Sequence, residues 1–166
     1  MVITDRYDHV IDEKARLAIP AQIRNAMNPE IDGTAFYFVA ETRYIQLIPE
    51  KLFEKLTGHL RAGLSVPPEI AKARRLLFSS APRVEPDKAG RVVVPERFLW
   101  NAKGPRPGAI LGREVTLIGV GDRVELWNRE DAAAHLRELE ADRPAVMAAG
   151  EKAFAVELEN PPATAR

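Results

Sequence analysis

The sequence predicts a mixed α+β fold made of two similar halves around one core, and three observations support this. The pattern Asp-x-x-x-Arg-x-x-x-Pro occurs at residues 12–20 and again, 75 residues later, at residues 87–95. Residues 45–48, Ile-Gln-Leu-Ile, are echoed by residues 124–127, Val-Glu-Leu-Trp. In both halves β-prone runs lead into helical patterns. A repeat this long indicates two halves rather than a solenoid, which needs three or more short repeats.

The first half begins with a predicted β-hairpin. Residues 9–11 and 16–19 are β-prone and flank the polar turn 12–15, where Asp12 favours a turn through local hydrogen bonds. Pro20 ends the second strand and suits the first turn of a helix, because its missing N–H would be unpaired there anyway. We therefore expect a helix directly after it.

The same signals predict the remaining elements. Apolar runs around polar turns give two further hairpins, and apolar residues at helical spacing give the helices. The predicted helices are 21–27, 49–61, 67–81, 96–101 and 128–140, and the predicted strands beyond the first hairpin are 36–40, 44–48, 91–94, 115–120 and 123–127. The Gly/Pro-rich stretch 101–108 is interpreted as a plain loop.

The domain boundaries follow from this pattern. We expect a first repeat over residues 3–63, a connecting helix within 64–82 and a second repeat over 83–142. The tail, 143–166, is rich in Ala, Glu and Pro, and we expect it to be partly helical and partly disordered.

Composition limits the class of protein. The chain has 166 residues, 46% of them hydrophobic, which is enough for one compact domain or two lobes with a joint core. It has no cysteine, which excludes disulfides and thiol chemistry. No basic stretch leads into an apolar run at the start, and nowhere do 18 apolar residues occur together. We therefore expect a soluble cytoplasmic protein.

Charge alone leaves DNA binding open. The net charge is zero, whereas nucleic-acid-binding domains are usually basic. The charge is unevenly distributed, since residues 128–166 hold five Lys/Arg against eight Asp/Glu and residues 1–127 hold 19 against 16. The basic residues of the body cluster in part at Lys14, Arg16 and Arg24 and at Lys72, Arg74 and Arg75.

The sequence offers little for catalysis. Histidines stand only at 9, 59 and 135, so neither a His/Cys metal cluster nor His-Glu-x-x-His is present. Ser79-Ser80 lacks a Gly-x-Ser-x-Gly context, and a nucleophile without a placed base is idle. We therefore expect no enzyme activity, metal, cofactor or small-molecule substrate.

On spacing alone, the repeated motif has two interpretations. In the structural one, Asp12 and Asp87 fix a β-turn by bonding to backbone N–H groups, and Arg16 and Arg91 pair with them. In the functional one, each of two equivalent turns presents a basic residue at a fixed position, an arrangement suited to binding a repetitive polymer. Spacing favours the structural interpretation and leaves the functional one open.

The motif and its surroundings resemble a known family. The turn with its following proline and helix is similar to the looped-hinge hairpin of the AbrB-like, swapped-hairpin regulators, whose barrel is normally made by two chains. Two such units in one chain, with residues 73–81 between them and residues 115–127 after the second motif, resemble the MraZ family over about residues 3–142. The resemblance implies two AbrB-like hairpin/helix repeats forming one intramolecular pseudo-dimeric β-barrel flanked by helices.

The resemblance also implies a function. Members of the family are DNA-binding transcriptional regulators of the division and cell-wall gene cluster, including their own promoter. The resemblance further implies a ring-shaped, nucleoid-associated homo-oligomer whose repeated motifs grip short G-rich direct repeats. The competing interpretation is a protein-interaction module or antitoxin-type partner of the same fold, whose acidic tail engages another protein.

The family's site residues can be carried over to this sequence. Its Asp and Arg fall on Asp12 and Arg16 in the first motif and on Asp87 and Arg91 in the second, and the usual lysines are present as Lys14 and, displaced by one position, Lys88. We expect Arg16 to contact a base or phosphate of double-stranded DNA and Lys14 and Arg24 to contact phosphates. Lys88 and Arg91 would be their symmetric counterparts.

One departure from the family pattern concerns the first turn. The glycine that usually precedes the arginine is present as Gly90 in the second motif but is Ala15 in the first. Alanine tolerates positive φ less freely than glycine. The turn type at the first motif is therefore in question.

Overall fold

The computed structural model of the protein describes residues 1–61, 66–100 and 109–159. The strands are β1 (Arg6–Val10), β2 (Arg16–Ala18), β3 (Phe36–Ala40), β4 (Tyr44–Pro49), β5 (Arg83–Val84), β6 (Arg91–Val93), β7 (Glu114–Gly119) and β8 (Val124–Asn128). The helices are α1 (Ala21–Ala26), α2 (Pro29–Asp32), α3 (Glu50–Leu56), α4 (Gly58–Arg61), α5 (Pro68–Ser80), α6 (Arg129–Ala141) and α7 (Arg143–Glu159), with a 3-10 turn over Glu96–Phe98. The mixed α+β class is confirmed.

The strand order carries the symmetry of the two halves. Six strands form an antiparallel sheet in the order β1-β7-β8-β4-β3-β5, and β2 pairs with β6 in a separate two-stranded ribbon. The equivalent strands of the two halves are β1 and β5, β2 and β6, β3 and β7, and β4 and β8. When each strand is replaced by its equivalent, the sheet has the same order read from its other edge. The two halves are therefore related by a pseudo-two-fold exchange in their hydrogen-bond pattern.

The pairing register obeys the same symmetry. The ribbon is centred on the pair Leu17 and Val92, and the β4–β8 pairing contains the pair Gln46 and Glu125. Both pairs join equivalent residues of the two halves, which are 75 and 79 positions apart. The duplication in the sequence is thus matched residue by residue in the strand ladders.

The predicted pairing of the first hairpin is wrong. The chain does turn at residues 12–15, but β1 pairs with β7 and β2 pairs with β6, so each flanking strand finds its partner in the other half. The pairing continues past the strand end, where the Ile11 N–H donates to the Arg113 carbonyl at 2.8 Å. Local turn chemistry is the same whether the two strands close on each other or diverge, so the sequence could not distinguish the two cases.

Two predicted helices differ from the structure. The helix over 49–61 is divided at Thr57, whose N–H and hydroxyl both donate to the Phe53 carbonyl, at 3.0 and 2.7 Å. The helix over 96–101 is a single 3-10 turn, because the Trp100 N–H donates instead to the Leu111 carbonyl at 2.7 Å. The hairpins β3–β4 and β7–β8 and helix α5 are confirmed to within a residue or two.

One hydrophobic core is shared by both halves. Most of its members occur as equivalent pairs, namely Leu17/Val92, Ile19/Val94, Ile23/Phe98, Phe36/Val115, Phe38/Leu117, Ile45/Val124 and Leu47/Leu126. Each half alone would expose its part of this cluster. The described strands form an open sheet and a separate ribbon, so the closed barrel implied by the resemblance is not confirmed.

The chain divides into two compact units, Met1–Arg129 and Glu130–Arg166. The second unit contains most of α6 and all of α7, so the tail is helical to residue 159, and the described side chains of α7 are exposed. Its last residues, where disorder was predicted, and the predicted loop 101–108 lie outside the described residues. In the part of the chain that the structure describes, no helix is long and apolar enough to cross a membrane.

Truncation of Leu17 should destabilise the fold strongly. Leu17 is fully buried at the centre of the ribbon, and Leu17→Ala should lower the free energy of unfolding by about 2–5 kcal/mol through lost burial and the cavity left behind. Ile31→Ala, at a position that is 69% exposed, should change it by less than about 0.5 kcal/mol. Urea unfolding curves measure both, and equal effects would contradict the central place given to the ribbon.

Candidate nucleic-acid interface

The first motif folds into a tight turn held by its aspartate. Asp12 Oδ1 accepts hydrogen bonds from the backbone N–H groups of Lys14 at 2.8 Å and Arg16 at 2.9 Å. Backbone bonds close the turn, from Ala15 N–H to the Asp12 carbonyl and from Asp12 N–H to the Arg16 carbonyl, both at 3.0 Å. The carboxylate thus satisfies donors that a short loop would otherwise leave to solvent.

The second motif repeats this structure bond for bond. Asp87 Oδ1 accepts from the backbone N–H groups of Ala89 and Arg91, both at 2.9 Å. The Gly90 N–H donates to the Asp87 carbonyl at 2.8 Å, and the Asp87 N–H donates to the Arg91 carbonyl at 2.7 Å. The two turns are therefore equivalent in hydrogen bonding, although they differ in sequence at three of their five positions.

Each aspartate also braces the arginine that follows it. Arg16 Nε and Nη2 both lie 2.7 Å from Asp12 Oδ2, and Arg91 Nε and Nη2 lie 3.0 and 2.8 Å from Asp87 Oδ2. A guanidinium has five N–H donors, so the contact with the aspartate uses two of them and leaves one hydrogen of Nη2 and both hydrogens of Nη1 for another acceptor. Both arginine side chains remain about a third exposed. Pairing with aspartate and contact with a ligand are therefore compatible.

The turns keep their carboxylates ionised. Hydrogen bonds from the Arg16 backbone N–H, together with its side chain and the Lys14 N–H, lower the pKa of Asp12 below its ordinary value. The backbone N–H of Arg91, its side chain and the Ala89 N–H lower the pKa of Asp87 in the same way. At neutral pH each arginine is held by a full negative charge.

The ribbon places both arginines on one face. Leu17 and Val92 point into the core, and side chains alternate along a strand, so their neighbours in β2 and β6 lie on the outer face. Arg16 stands opposite Val93, and Arg91 stands opposite Ala18. Arg91 is therefore on the neighbouring strand, two residues along from the position opposite Arg16. This displacement places the two arginine Cα atoms roughly 8 Å apart.

The basic residues named from the sequence divide between two places. Lys14 and Lys88 are exposed in the first and second turn. Arg24, which is close to Arg16 in sequence, lies at the other turn, because its Nε donates to the Ile19 carbonyl at 3.1 Å and lies within 2.6 Å of where a Cβ on Gly90 would be. The swapped pairing of β2 carries α1 to the far end of the ribbon. The structure therefore separates Arg24 from the cluster that the sequence suggested.

The substitution of Ala15 for glycine does not change the turn. Ala15 has φ 58° and Gly90 has φ 75°, so both occupy the left-handed region. The difference lies in what packs on each residue. Gly90 meets Arg24, whose bulk leaves no room for a Cβ, whereas Ala15 shares the wall of a cavity with Leu99, the equivalent of Arg24 in the other half.

Two outer-face residues, Ala18 and Val93, were not identified from the sequence. Val93 is 58% exposed, while the valines on either side of it, Val92 and Val94, are buried. The run Val-Val-Val gives no hint of which one faces outward. The available signal for the outward position of Val93 was Arg91, two residues earlier, because residues two apart in a strand share a face.

Exchanging alanine and glycine at the two turns should have opposite effects. Ala15→Gly removes a left-handed alanine, which costs about 1–2 kcal/mol, and introduces a glycine whose extra unfolded-state entropy offsets about 0.5–1 kcal/mol of that gain. We expect a net rise in the free energy of unfolding of roughly 0.5–1 kcal/mol. Gly90→Ala should lower it by at least about 1 kcal/mol, since Arg24 must also move. Thermal unfolding measures both, and a loss of stability in Ala15→Gly would contradict the assigned turn geometry.

Acid should unfold the protein partly through these two turns. Because the pKa values of Asp12 and Asp87 are lower in the folded protein, the stability they contribute is fully present above the ordinary value near 3.8 and is lost as the pH falls through the lower folded values. The double variant Asp12→Asn, Asp87→Asn keeps an Oδ1 acceptor but cannot titrate. Unfolding curves between pH 6 and pH 2 should show a shallower acid loss for this variant, and parallel curves would contradict the assignment.

Comparison with known proteins places the chain in a family. A family model described as "MraZ protein, putative antitoxin-like" matches residues 77–150. The chain is 32% identical to the transcriptional regulator MraZ of Thermomicrobium roseum over 141 residues, 85% of this chain and 92% of that protein. It is 33% identical to the protein of the same name from Leuconostoc mesenteroides over 137 residues, 82% of this chain and 87% of that one. The chain therefore belongs to the MraZ family.

Proposed function

We propose that the protein is a sequence-specific, double-stranded DNA-binding transcriptional regulator that performs no chemistry. The observation that carries the proposal is the pair of aspartate-braced arginines on the outer face of one ribbon. The naming of its relatives as transcriptional regulators supports the same class of function. The proposed ligand-binding surface is this outer face, formed by Arg16, Ala18, Arg91 and Val93, together with the two turns.

The dimensions of the ribbon favour the major groove. That groove admits a two-stranded β-ribbon, and arginine binds guanine O6 and N7 there in bidentate fashion. A spacing of roughly 8 Å between the Cα atoms of Arg16 and Arg91 corresponds to about two base-pair steps of 3.4 Å. The brace matters because an arginine already held by Asp12 or Asp87 loses less conformational freedom when it binds. Each motif then reads a guanine with a preordered guanidinium.

The remaining basic residues fit phosphate contacts. Lys14 and Lys88 lie in the turns at the two ends of the ribbon, and Arg24 lies against the second turn. Residues at the ends of an element that enters the groove are placed beside the sugar-phosphate backbone. Contacts of this kind position a protein and make binding depend on salt without reading sequence.

Assembly would offset the weak charge of one protomer. Because one chain supplies both halves of its core, it has no need to exchange hairpins with a partner, so association would use heterologous contacts that close a ring. A single chain has zero net charge and would bind DNA weakly through charge alone. Several subunits that bind the same DNA together raise the overall affinity by avidity. With the family resemblance, this leads us to propose a cytoplasmic, nucleoid-associated ring that binds short G-rich direct repeats.

Two further features belong to the same proposal. We assign the protein a repressor's role at the division and cell-wall gene cluster and at its own promoter, as the resemblance implies. We also propose that the sheet and the ribbon enclose their shared core as a pseudo-dimeric barrel, since buried residues of both contribute to one cluster. The regulatory role rests on the family resemblance, and the barrel rests on this shared core.

A protein-interaction module or antitoxin-type partner is the second candidate. The observation in its favour is α7, which exposes Val146, Met147 and Phe154. A gel shift on the DNA upstream of the gene, with the full chain and with a chain lacking residues 143–166, separates the two functions. The regulator retains DNA binding after truncation, whereas an interaction module binds no DNA in either form.

Removal of Arg16 should nearly abolish DNA binding while leaving the fold intact. An exposed ion pair contributes at most about 1 kcal/mol to stability, so Arg16→Ala should remain folded. Its affinity should fall by roughly 1–3 kcal/mol for each lost base contact, and by more in a ring in which every docked protomer carries the defect. Arg91→Ala should have a milder effect, because its motif lacks the lysine two residues before the arginine. Arg16→Lys keeps the charge but not the bidentate fork.

The matched control for the arginine variants is Arg143→Ala. Arg143 lies at the start of α7, pairs with Glu140 and is 67% exposed. Fluorescence anisotropy at several salt concentrations should give unchanged affinity and salt dependence for this variant. Wild-type affinity in both Arg16→Ala and Arg91→Ala would overturn the assignment of the site.

The proposed ring has a test of its own. Multi-angle light scattering of the full chain at micromolar concentration should give a mass several times the 18.5 kDa of one chain. The same measurement on Arg16→Ala should give an equal mass, because the outer face of the ribbon is reserved for DNA. A strict monomer would contradict the ring and the avidity argument with it.

A further inference from the structure

The outer face of the ribbon carries one apolar side chain that the fold does not require. Val93 is 58% exposed, whereas its two neighbours in sequence, Val92 and Val94, are buried in the core. A β-branched residue suits a strand, but a polar β-branched threonine would serve equally at an exposed position. The placement of Val93 beside the motif arginines gives it a chemical use.

We propose that Val93 is a second sequence-reading residue, whose side chain contacts the 5-methyl group of a thymine next to the guanine bound by Arg16. This inference rests on the proposed function and deepens it. In the register of the ribbon, Val93 stands directly opposite Arg16, so their Cβ atoms are about 5 Å apart. A side chain at that distance reaches a base within about one or two steps of the base that the arginine contacts.

The chemistry of the major groove fits an exposed valine. Thymine presents its C5-methyl group there, and apolar side chains recognise it by contact, whereas cytosine presents an amino donor in the corresponding region of its pair. Val93 has no polar group to satisfy that donor. It therefore favours thymine through burial of the methyl group and disfavours cytosine through an unpaired donor.

The two ends of the ribbon differ in this respect. The pseudo-equivalent of Val93 is Ala18, which stands opposite Arg91. The arginines are thus repeated on the outer face, but the apolar side chains are not, because alanine is shorter by two methyl groups. The ribbon would read a guanine at each end and a thymine only at the Arg16 end, so the two half-sites are inequivalent.

Deletion of a single methyl group from the DNA tests the contact. The probe is a duplex selected by the wild-type protein from a random library, in which each thymine is replaced in turn by uracil. Replacement at one position should weaken wild-type binding roughly fourfold, the effect of one buried methyl-sized group. Val93→Ala should bind the unmodified duplex more weakly by a similar factor and be insensitive to uracil at that position. Val93→Thr, which keeps a methyl group and the branched shape, should remain sensitive.

Two further variants sharpen the experiment. Ala18→Val makes the outer face symmetric and should create a new sensitivity to uracil at the Arg91 end of the site. Val146→Ala, on α7, removes an exposed valine elsewhere and should leave the uracil profile of the wild type unchanged.

The outcomes separate this inference from the proposed function. In one outcome, the wild-type protein selects a duplex whose binding depends on Arg16, but Val93→Ala has the uracil profile of the wild type. This outcome overturns the role of Val93 and leaves the DNA-binding function intact. Failure of the wild-type protein to select any duplex overturns the proposed function and this inference together.

Discussion

The pairing of β2 with β6 across the two halves is the constraint on which the candidate interface depends. It is centred on Leu17 and Val92, both fully buried. Because the strands come from different halves and run antiparallel, their two turns lie at opposite ends of one ribbon, and their arginines share its outer face. The same pairing places Arg24 against Gly90 of the second turn, away from Lys14 and Arg16 of the first turn. This pairing also sets the spacing between the two arginines along the ribbon.

The aspartate of each motif serves the fold and the binding surface together. One oxygen of Asp12 accepts from two backbone N–H groups and fixes the turn, while the other holds Arg16 through Nε and Nη2. The structural and functional interpretations of the motif are therefore compatible. One edge of the guanidinium pairs with Asp12, and the opposite edge is left for a ligand. The cost is electrostatic, since each carboxylate cancels a positive charge beside the proposed DNA. Assembly and specific base contacts, rather than net charge, would then supply the affinity.

Local signals in the sequence predict local structure well and long-range pairing poorly. The hairpins β3–β4 and β7–β8 follow from apolar runs around short polar turns, and their equivalence follows from the repeat. Local turn chemistry could not identify the partner of β2, because the Asp12 turn looks the same whether or not its strands pair with each other. The placement of Arg24 at the second turn depends on that pairing, whereas the outward position of Val93 follows from strand alternation with Arg91. These are also the details that decide which residues face a ligand.

Binding of a guanine by Arg16, held in place by Asp12, can be tested with a cycle that changes both the protein and the DNA. Each guanine of the selected duplex is replaced by 7-deazaguanine, which lacks the N7 acceptor but keeps base pairing. Affinities are then measured for the wild type and for Arg16→Lys, whose ammonium cannot bind O6 and N7 as a fork. We expect one guanine at which the replacement weakens the wild type roughly tenfold or more and barely affects Arg16→Lys. Equal losses in both proteins at every guanine would show that Arg16 does not contact a guanine N7, and would contradict guanine recognition by this residue.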